Sequence, residues 1–143
     1  AKWGQVKFNY GMYQAIEDSS RAFKAINANG NIVHDKMNIS FPTHKASFMH
    51  TLLLTDSLTF NHSLVFSSDR YGYSGSTLIH HDPTWIYNTY LRYQNALIKG
   101  FDIGLGVYDV FNAQYEYVQL IKGGHPALPG RTRELRLKLS YEF

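Results

Sequence analysis

Apolar and polar residues alternate along much of this chain with a period of two, the pattern of strands that present one greasy and one polar face. It is cleanest at the end, where Leu135, Leu137, Leu139, Tyr141 and Phe143 interleave with Glu134, Arg136, Lys138, Ser140 and Glu142. A first strand is predicted from Gln5 to Tyr13, with Val6, Phe8, Tyr10 and Met12 opposing Gln5, Lys7, Asn9 and Gly11. A second spans about Ala46 to Leu54, where the consecutive Leu52, Leu53 and Leu54 leave its facing open. After the tight turn Thr55-Asp-Ser57 a third strand carries Leu58, Phe60, Leu64 and Phe66 on one face and extends towards Tyr73. His62 interrupts that face. A fourth sets Trp85, Tyr87, Leu91 and Tyr93 against Asn88, Arg92 and Gln94, with Tyr90 on the polar side. The fifth sets Phe101, Ile103, Leu105 and Val107 against Asp102, Gly104 and Gly106.

The connections alternate in length. Ile16 to about His44 reads as a long loop, with Ala22 to Ala28 able to form a helical turn; Ser74 to Pro83 and Asn112 to Gly130 are also long. Thr55 to Ser57 and Asn95 to Lys99 are short. Short turns at one end and long loops at the other are the arrangement of bacterial outer-membrane barrels. The predicted class is therefore all-β: an antiparallel, up-and-down transmembrane β-barrel wall of about six strands. The smallest single-chain barrels of this kind have about eight strands, and open edges in lipid are costly, so six strands imply an incomplete wall. Either further strands precede Ala1 in a parent protein, or several copies close a barrel together.

Composition narrows the alternatives. Aromatic residues are 15% of the 143, with 11 Tyr and 9 Phe, yet mean hydropathy is -0.30. No run approaches the ~20 apolar residues of a membrane helix. Strands hide their hydrophobicity in alternation, which suits these values. Absence of Cys removes disulfides and thiolate metal sites. A net charge of +3, scattered along the chain, gives no footprint for nucleic acid. Trp85 and Tyr87 open one predicted strand and Phe111 follows another at the same end, whereas Tyr93, Phe101, Tyr141 and Phe143 lie at the opposite end. Those are two aromatic girdles, expected to anchor the wall in outer-membrane lipid. A terminal Phe on an amphipathic strand is also suited to presenting that strand for assembly. The chain starts at Ala1 without a charged-then-apolar leader, so it is expected to be a processed form or an excised piece comprising one segment, residues 1–143, without plug domain or signal peptide.

Specific stretches resemble TonB-dependent outer-membrane receptors. Gly106-Val-Tyr-Asp-Val-Phe-Asn-Ala-Gln-Tyr115, then Pro126-Ala-Leu-Pro-Gly-Arg-Thr132, then a strand closing on Tyr141-Glu-Phe143 are similar to that family's "N-L-F-[DN]-x-x-Y", "P-G-R-[ST]" and final "Y-x-F". Phe41-Pro-Thr-His-Lys45 and Ser67-Ser-Asp-Arg70 resemble its "P-x-H" and "Y-x-S-x-R" stretches. Asp109-Val110 departs from the usual Asn-Leu, and nothing corresponds to the plug or to the segment that engages the energy-transducing partner. The resemblance implies the last six strands of a barrel of about 22. It further implies TonB-dependent uptake of a scarce nutrient such as a siderophore, cobalamin or haem. The implied partners are lipid, the remainder of the barrel and its plug, the TonB protein through an N-terminal region, and the small nutrient ligand.

Candidate chemistry is sparse. His80-His-Asp82 is the one cluster able to contact a ligand or metal, and the reading set beside it is a solvated loop. His34, His44, His50, His62 and His125 lack helical ligand spacing. Gly104-Leu-Gly106 lies inside a strand, so it reads as lumen-facing glycines and not as a phosphate loop. Arg131, Arg133, Arg136 and Lys138 suit a lumen face or the headgroup level. No catalytic residue, cofactor site or metal site is assigned, and an enzyme is not expected. Two other classes compete with the receptor: a soluble β-barrel that binds a small apolar ligand, and a homo-oligomeric outer-membrane pore.

Overall fold

Residues 2–15 and 24–143 are described by a computed structural model, with the backbone alone for Lys2 and Trp3. Six long strands build one antiparallel sheet: β1 (Lys2–Met12), β2 (His44–Leu53), β3 (Leu58–Ser67), β6 (Thr84–Tyr93), β7 (Phe101–Tyr108) and β10 (Glu134–Tyr141), in the order β1-β2-β3-β6-β7-β10. Each strand lies beside the next long strand in the chain, an up-and-down wall. β1 and β10 are its two edges and do not pair with each other, so the sheet is not the closed barrel that a soluble lipocalin-like binder requires.

The register assigns every side chain to a face. Phe8 stands opposite Phe48, Phe48 opposite Leu64, and Leu64 opposite Tyr87; farther along, Leu91, Leu105 and Leu137 form another row. On the other face Asn9 meets Ser47, Ser63 meets Asn88, and Lys138 meets Gly104. The facing of β2, open in the sequence, is thereby settled: Ala46, Phe48, His50 and Leu52 join the apolar side, and Leu53 the polar side. The apolar side stays uncovered, with Leu135, Leu137 and Leu139 exposed by 71%, 67% and 58%. Aromatic rings gather near both strand ends. Phe66 and Trp85 lie 4.3 Å apart and Tyr87 and Phe111 5.6 Å apart at one, while Tyr141 pairs with Phe101 and lies 6.1 Å from Phe143 at the other.

Side chains pin the short turns. The Thr55 hydroxyl accepts from the Ser57 and Leu58 amides at 3.2 and 3.0 Å. Asn95, at φ 51°, accepts from the Gly100 amide at 2.6 Å and donates its own amide to Asp102 at 3.1 Å.

The long connections differ from the sequence expectation. β3 stops at Ser67, and the segment predicted to continue it towards Tyr73 leaves the wall as β4 (Arg70–Ser74), paired with β5 (Thr77–His81) in a separate hairpin. His80 and His81 therefore stand on a strand and not in a solvated loop. The helical turn considered for Ala22 to Ala28 is absent over its described part: Lys24 and Ile26 make antiparallel bridges to Asn38 and Ile32, and residues 22–23 lie outside the described residues. A two-residue pair, β8 (Glu116–Tyr117) with β9 (Leu128–Pro129), structures the last loop. The loops also lock together. Tyr73 bridges Gln119, the Ser40 amide donates to the Tyr71 carbonyl at 2.7 Å, and the Gly123 amide donates to the Gly75 carbonyl at 2.8 Å. Ala25, Ile39 and Tyr73, with Tyr71 and Leu78 against them, form the buried core, so the core sits among the loops and not on the wall.

Candidate functional site

The loop end of the wall carries two adjoining cavities. One, about 670 Å³, is lined by His80, His81 and Asp82 together with Arg70, Tyr115 and Arg131. The other, about 700 Å³, lies over the polar face, with Lys45, Phe66, Ile86 and Tyr117 in its lining. Arg70, Thr84, Tyr115 and Glu116 border both.

Strand geometry separates the two adjacent histidines. His80 is half-exposed, with Nε2 3.1 Å from an Asp69 carboxylate oxygen, Nδ1 3.6 Å from Asp82, and its ring 5.0 Å from that of Tyr71. His81 turns inward to 10% exposure, its Nδ1 3.4 Å from Glu116. Its Nε2 is buried without a hydrogen-bond partner. Burial lowers the His81 pKa from its ordinary value; Glu116 opposes this, Arg70 and His80 reinforce it, and Asp82 opposes it. At neutral pH His81 is accordingly uncharged. Among the described residues no group of three or more His, Asp or Glu side chains is placed to hold a metal ion, so the triplet does not assemble a metal site.

Arg70 is held at the seam. It donates to the Glu116 carbonyl at 3.0 Å and to the Ser67 hydroxyl at 3.4 Å. Burial lowers its pKa, yet guanidinium remains charged at any ordinary pH. Among the described residues neither Arg70 nor Arg131 forms an ion pair with a carboxylate. Beside them the Tyr115 ring fills the space over Gly130, its hydroxyl accepts from the Arg131 amide at 3.2 Å, and it lies 3.5 Å from the Tyr117 hydroxyl. That last contact, with Tyr115 as the larger influence, raises the Tyr117 pKa. The chemistry on offer is two guanidinium groups without a direct ion pair among the described residues, Arg131 within reach of the Glu134 charge, phenolic donors and one accessible imidazole, a set suited to an oxygen-rich anion.

The wall has counterparts among solved structures. The ferric-catecholate import receptor Fiu of Escherichia coli K12, in its closed form, superposes with a TM-score of 0.76 at 18% identity, covering 100% of this chain and 19% of that receptor. The fold is that of a β-barrel wall. The ferric enterobactin receptor PfeA of Pseudomonas aeruginosa, as its G324V mutant, gives a TM-score of 0.59 at 15% identity over 98% of this chain and 22% of its own. The chain thus spans about a fifth of each receptor it matches. No protein-family model and no curated protein matches it.

Sequence reasoning singled out His80, His81 and Asp82 for this barrel wall but not Arg70, Tyr115 or Glu116, and it placed Arg131 with the ordinary lumen or headgroup cations. A signal was present. Arg70, Tyr115 and Arg131 each sit in one of the stretches that resemble TonB-dependent receptors, and those stretches converge on one cavity.

Proposed function

We propose that residues 1–143 are the C-terminal barrel segment of an outer-membrane receptor that takes up a scarce nutrient in a TonB-dependent manner, and that the nutrient is an anionic ferric siderophore. The uncovered apolar face would meet lipid, with Trp85, Tyr87, Phe101, Tyr141 and Phe143 as interfacial anchors. The polar face would meet the remainder of the barrel's interior and its plug, and the TonB protein would engage a region outside this segment. The observation that carries the ligand class is the pair of cations, Arg70 and Arg131, lining one cavity without a direct carboxylate ion pair among the described residues. Likeness to a ferric-catecholate receptor and a ferric enterobactin receptor supports the same class. His80 and Tyr115 would add hydrogen bonds.

The test uses the parent receptor in a strain lacking its other iron-uptake receptors. It should bind a ferric siderophore and support growth on it, and Arg70→Ala or Arg131→Ala should each weaken binding about tenfold, the loss of one charge-assisted hydrogen bond. Normal growth without the parent, with no binding of any ferric siderophore, would refute the reading.

A further inference from the structure

His81 is the inward-facing imidazole of the β4–β5 hairpin, and it lines the same cavity as Arg70 and Arg131. Its side chain is 10% exposed, and its Nε2 is buried without a hydrogen-bond partner. Charged and titratable groups face it from several elements. Glu116 on β8 stands 3.4 Å from its Nδ1, Arg70 on β4 adds positive charge, and His80 and Asp82 flank it on its own segment. The cavity lining adds the phenol of Tyr115 and Arg131, the latter within reach of the Glu134 charge. Residue 116 joins imidazole and guanidinium: its carboxylate meets His81, and its carbonyl accepts from Arg70 at 3.0 Å.

The Glu116 carboxylate beside Nδ1 assigns the single proton of the neutral ring to that nitrogen, so a second proton must go to Nε2. Burial and the positive charge of Arg70 oppose that step. An anion in the cavity removes part of the opposition, because it brings the negative charge that neither guanidinium draws from a direct ion pair among the described residues. His80 is placed differently. It is half-exposed and already stands between Asp69 at 3.1 Å and Asp82 at 3.6 Å, so an added anion changes its surroundings less.

We propose that the ferric complex binds with uptake of a proton at His81 Nε2, so that acid tightens its capture. The inference rests on the reading of this cavity as the site of an anionic ferric siderophore. The proton comes from hydronium in the solvent, one N–H bond forms at the imidazole, and the ferric complex is unchanged. Such coupling is reciprocal: the factor by which the anion strengthens proton binding is the factor by which the proton strengthens anion binding. An opposite charge at close range is worth about tenfold or more. Without the anion His81 protonates below about pH 6.5 and with it at higher pH, so affinity rises as pH falls between the two values.

The experiment takes the parent receptor in detergent, with ferric enterobactin as a catecholate probe and ferric citrate as a carboxylate one. Titration calorimetry in two buffers of different ionisation heat counts the protons taken up, from about pH 7.5 to about pH 5.5, either side of the ordinary imidazole value. Protons that the complex itself gains are common to every variant, so the reading is the difference between wild type and His81→Asn. Wild type should take up more protons than His81→Asn and should tighten about tenfold more towards the acid end. Glu116→Gln removes the carboxylate that favours the imidazolium, so it should move the uptake to lower pH, which loss of a merely structural contact would not do. His80→Asn should leave the uptake in place. Equal uptake in wild type and His81→Asn, an unmoved window in Glu116→Gln, or loss of the uptake in His80→Asn alone overturns the proposal. Failure of both complexes to bind at any pH would instead overturn the anionic-ligand reading on which it rests.

Discussion

The Tyr90 ring lies across β7, its hydroxyl in the place that a Cβ would take at Gly104, while a Cβ at Gly106 would come within 3.2 Å of the same ring and 3.0 Å of Tyr108. Two glycines thus form the bed on which aromatic side chains of the polar face rest, the covering of strand glycine by a cross-strand aromatic. Gly104→Val should therefore cost about 1–3 kcal/mol through overpacking. In a Tyr90→Ala background most of that cost should vanish. Urea unfolding of the parent from vesicles measures both, and equal costs in the two backgrounds would show that the ring moves aside freely.

Asp109 closes the wall on the loop side. It is 4% exposed at φ 49°, its Oδ1 accepts from the Ala113 amide at 2.9 Å, its own amide donates to Asn88, and its Oδ2 is buried without a partner. Left-handed backbone at a non-glycine position favours Asn and Asp. Asp109→Asn keeps the accepting oxygen and removes the buried charge, so it should be neutral or stabilising. Asp109→Ala should lose about 0.5–2 kcal/mol, as for other caps of this kind. The same unfolding assay ranks them, and Asn destabilising as much as Ala would contradict the account.

The loop assembly should loosen in acid. His81 has a folded pKa lowered chiefly by burial, so the opened loops bind the proton more readily than the closed ones. Its contribution is fully present above about pH 6.5, the ordinary imidazole value, and is lost as pH falls through the folded value. The protection of the β4 and β5 amides from hydrogen exchange, corrected for the slower intrinsic exchange in acid, should accordingly fall below that pH. His81→Asn should flatten the dependence, and an unchanged acid profile in that variant would place the sensitivity elsewhere.

The two faces should respond oppositely to charge. Leu137, 67% exposed on the apolar face, stands next in sequence to Lys138 on the polar one. Leu137→Arg should cost up to about 2–4 kcal/mol, the range for a lipid-facing cation near the bilayer midplane, whereas Lys138→Gln should be near neutral. Membrane-fraction yield of the parent reads the difference. The reverse order would exchange the faces.

Alternation made β10 legible throughout and β6 and β7 in outline, because most residues there report their face through polarity, the exceptions being Ile86, Tyr90 and Tyr108 on the polar side and Thr89 on the apolar one. β2 was ambiguous for the same reason: Leu52 and Leu53 face opposite sides, and only pairing with β1 and β3 reveals which. Within the second long loop a hairpin escaped notice although Gly75, at φ 58°, stands between Ser74 and Thr77 with strand-forming residues on each side. The cavity was legible only in part. Arg70, Tyr115 and Arg131 come from separate segments, Arg70 far along the chain from the other two, and what joins them is pairing between loops, which leaves no spacing to read.

Because Tyr73 bridges Gln119, Ser40 holds Tyr71 and Gly75 takes hydrogen bonds from Gly123 and gives one to His125, three loops behave as one tile with shared seams. A transplant of any single loop into another barrel would carry torn edges with it. Under the receptor reading proposed above, changes in recognition would be channelled into side chains that leave the seams intact, or into exchange of the whole tile.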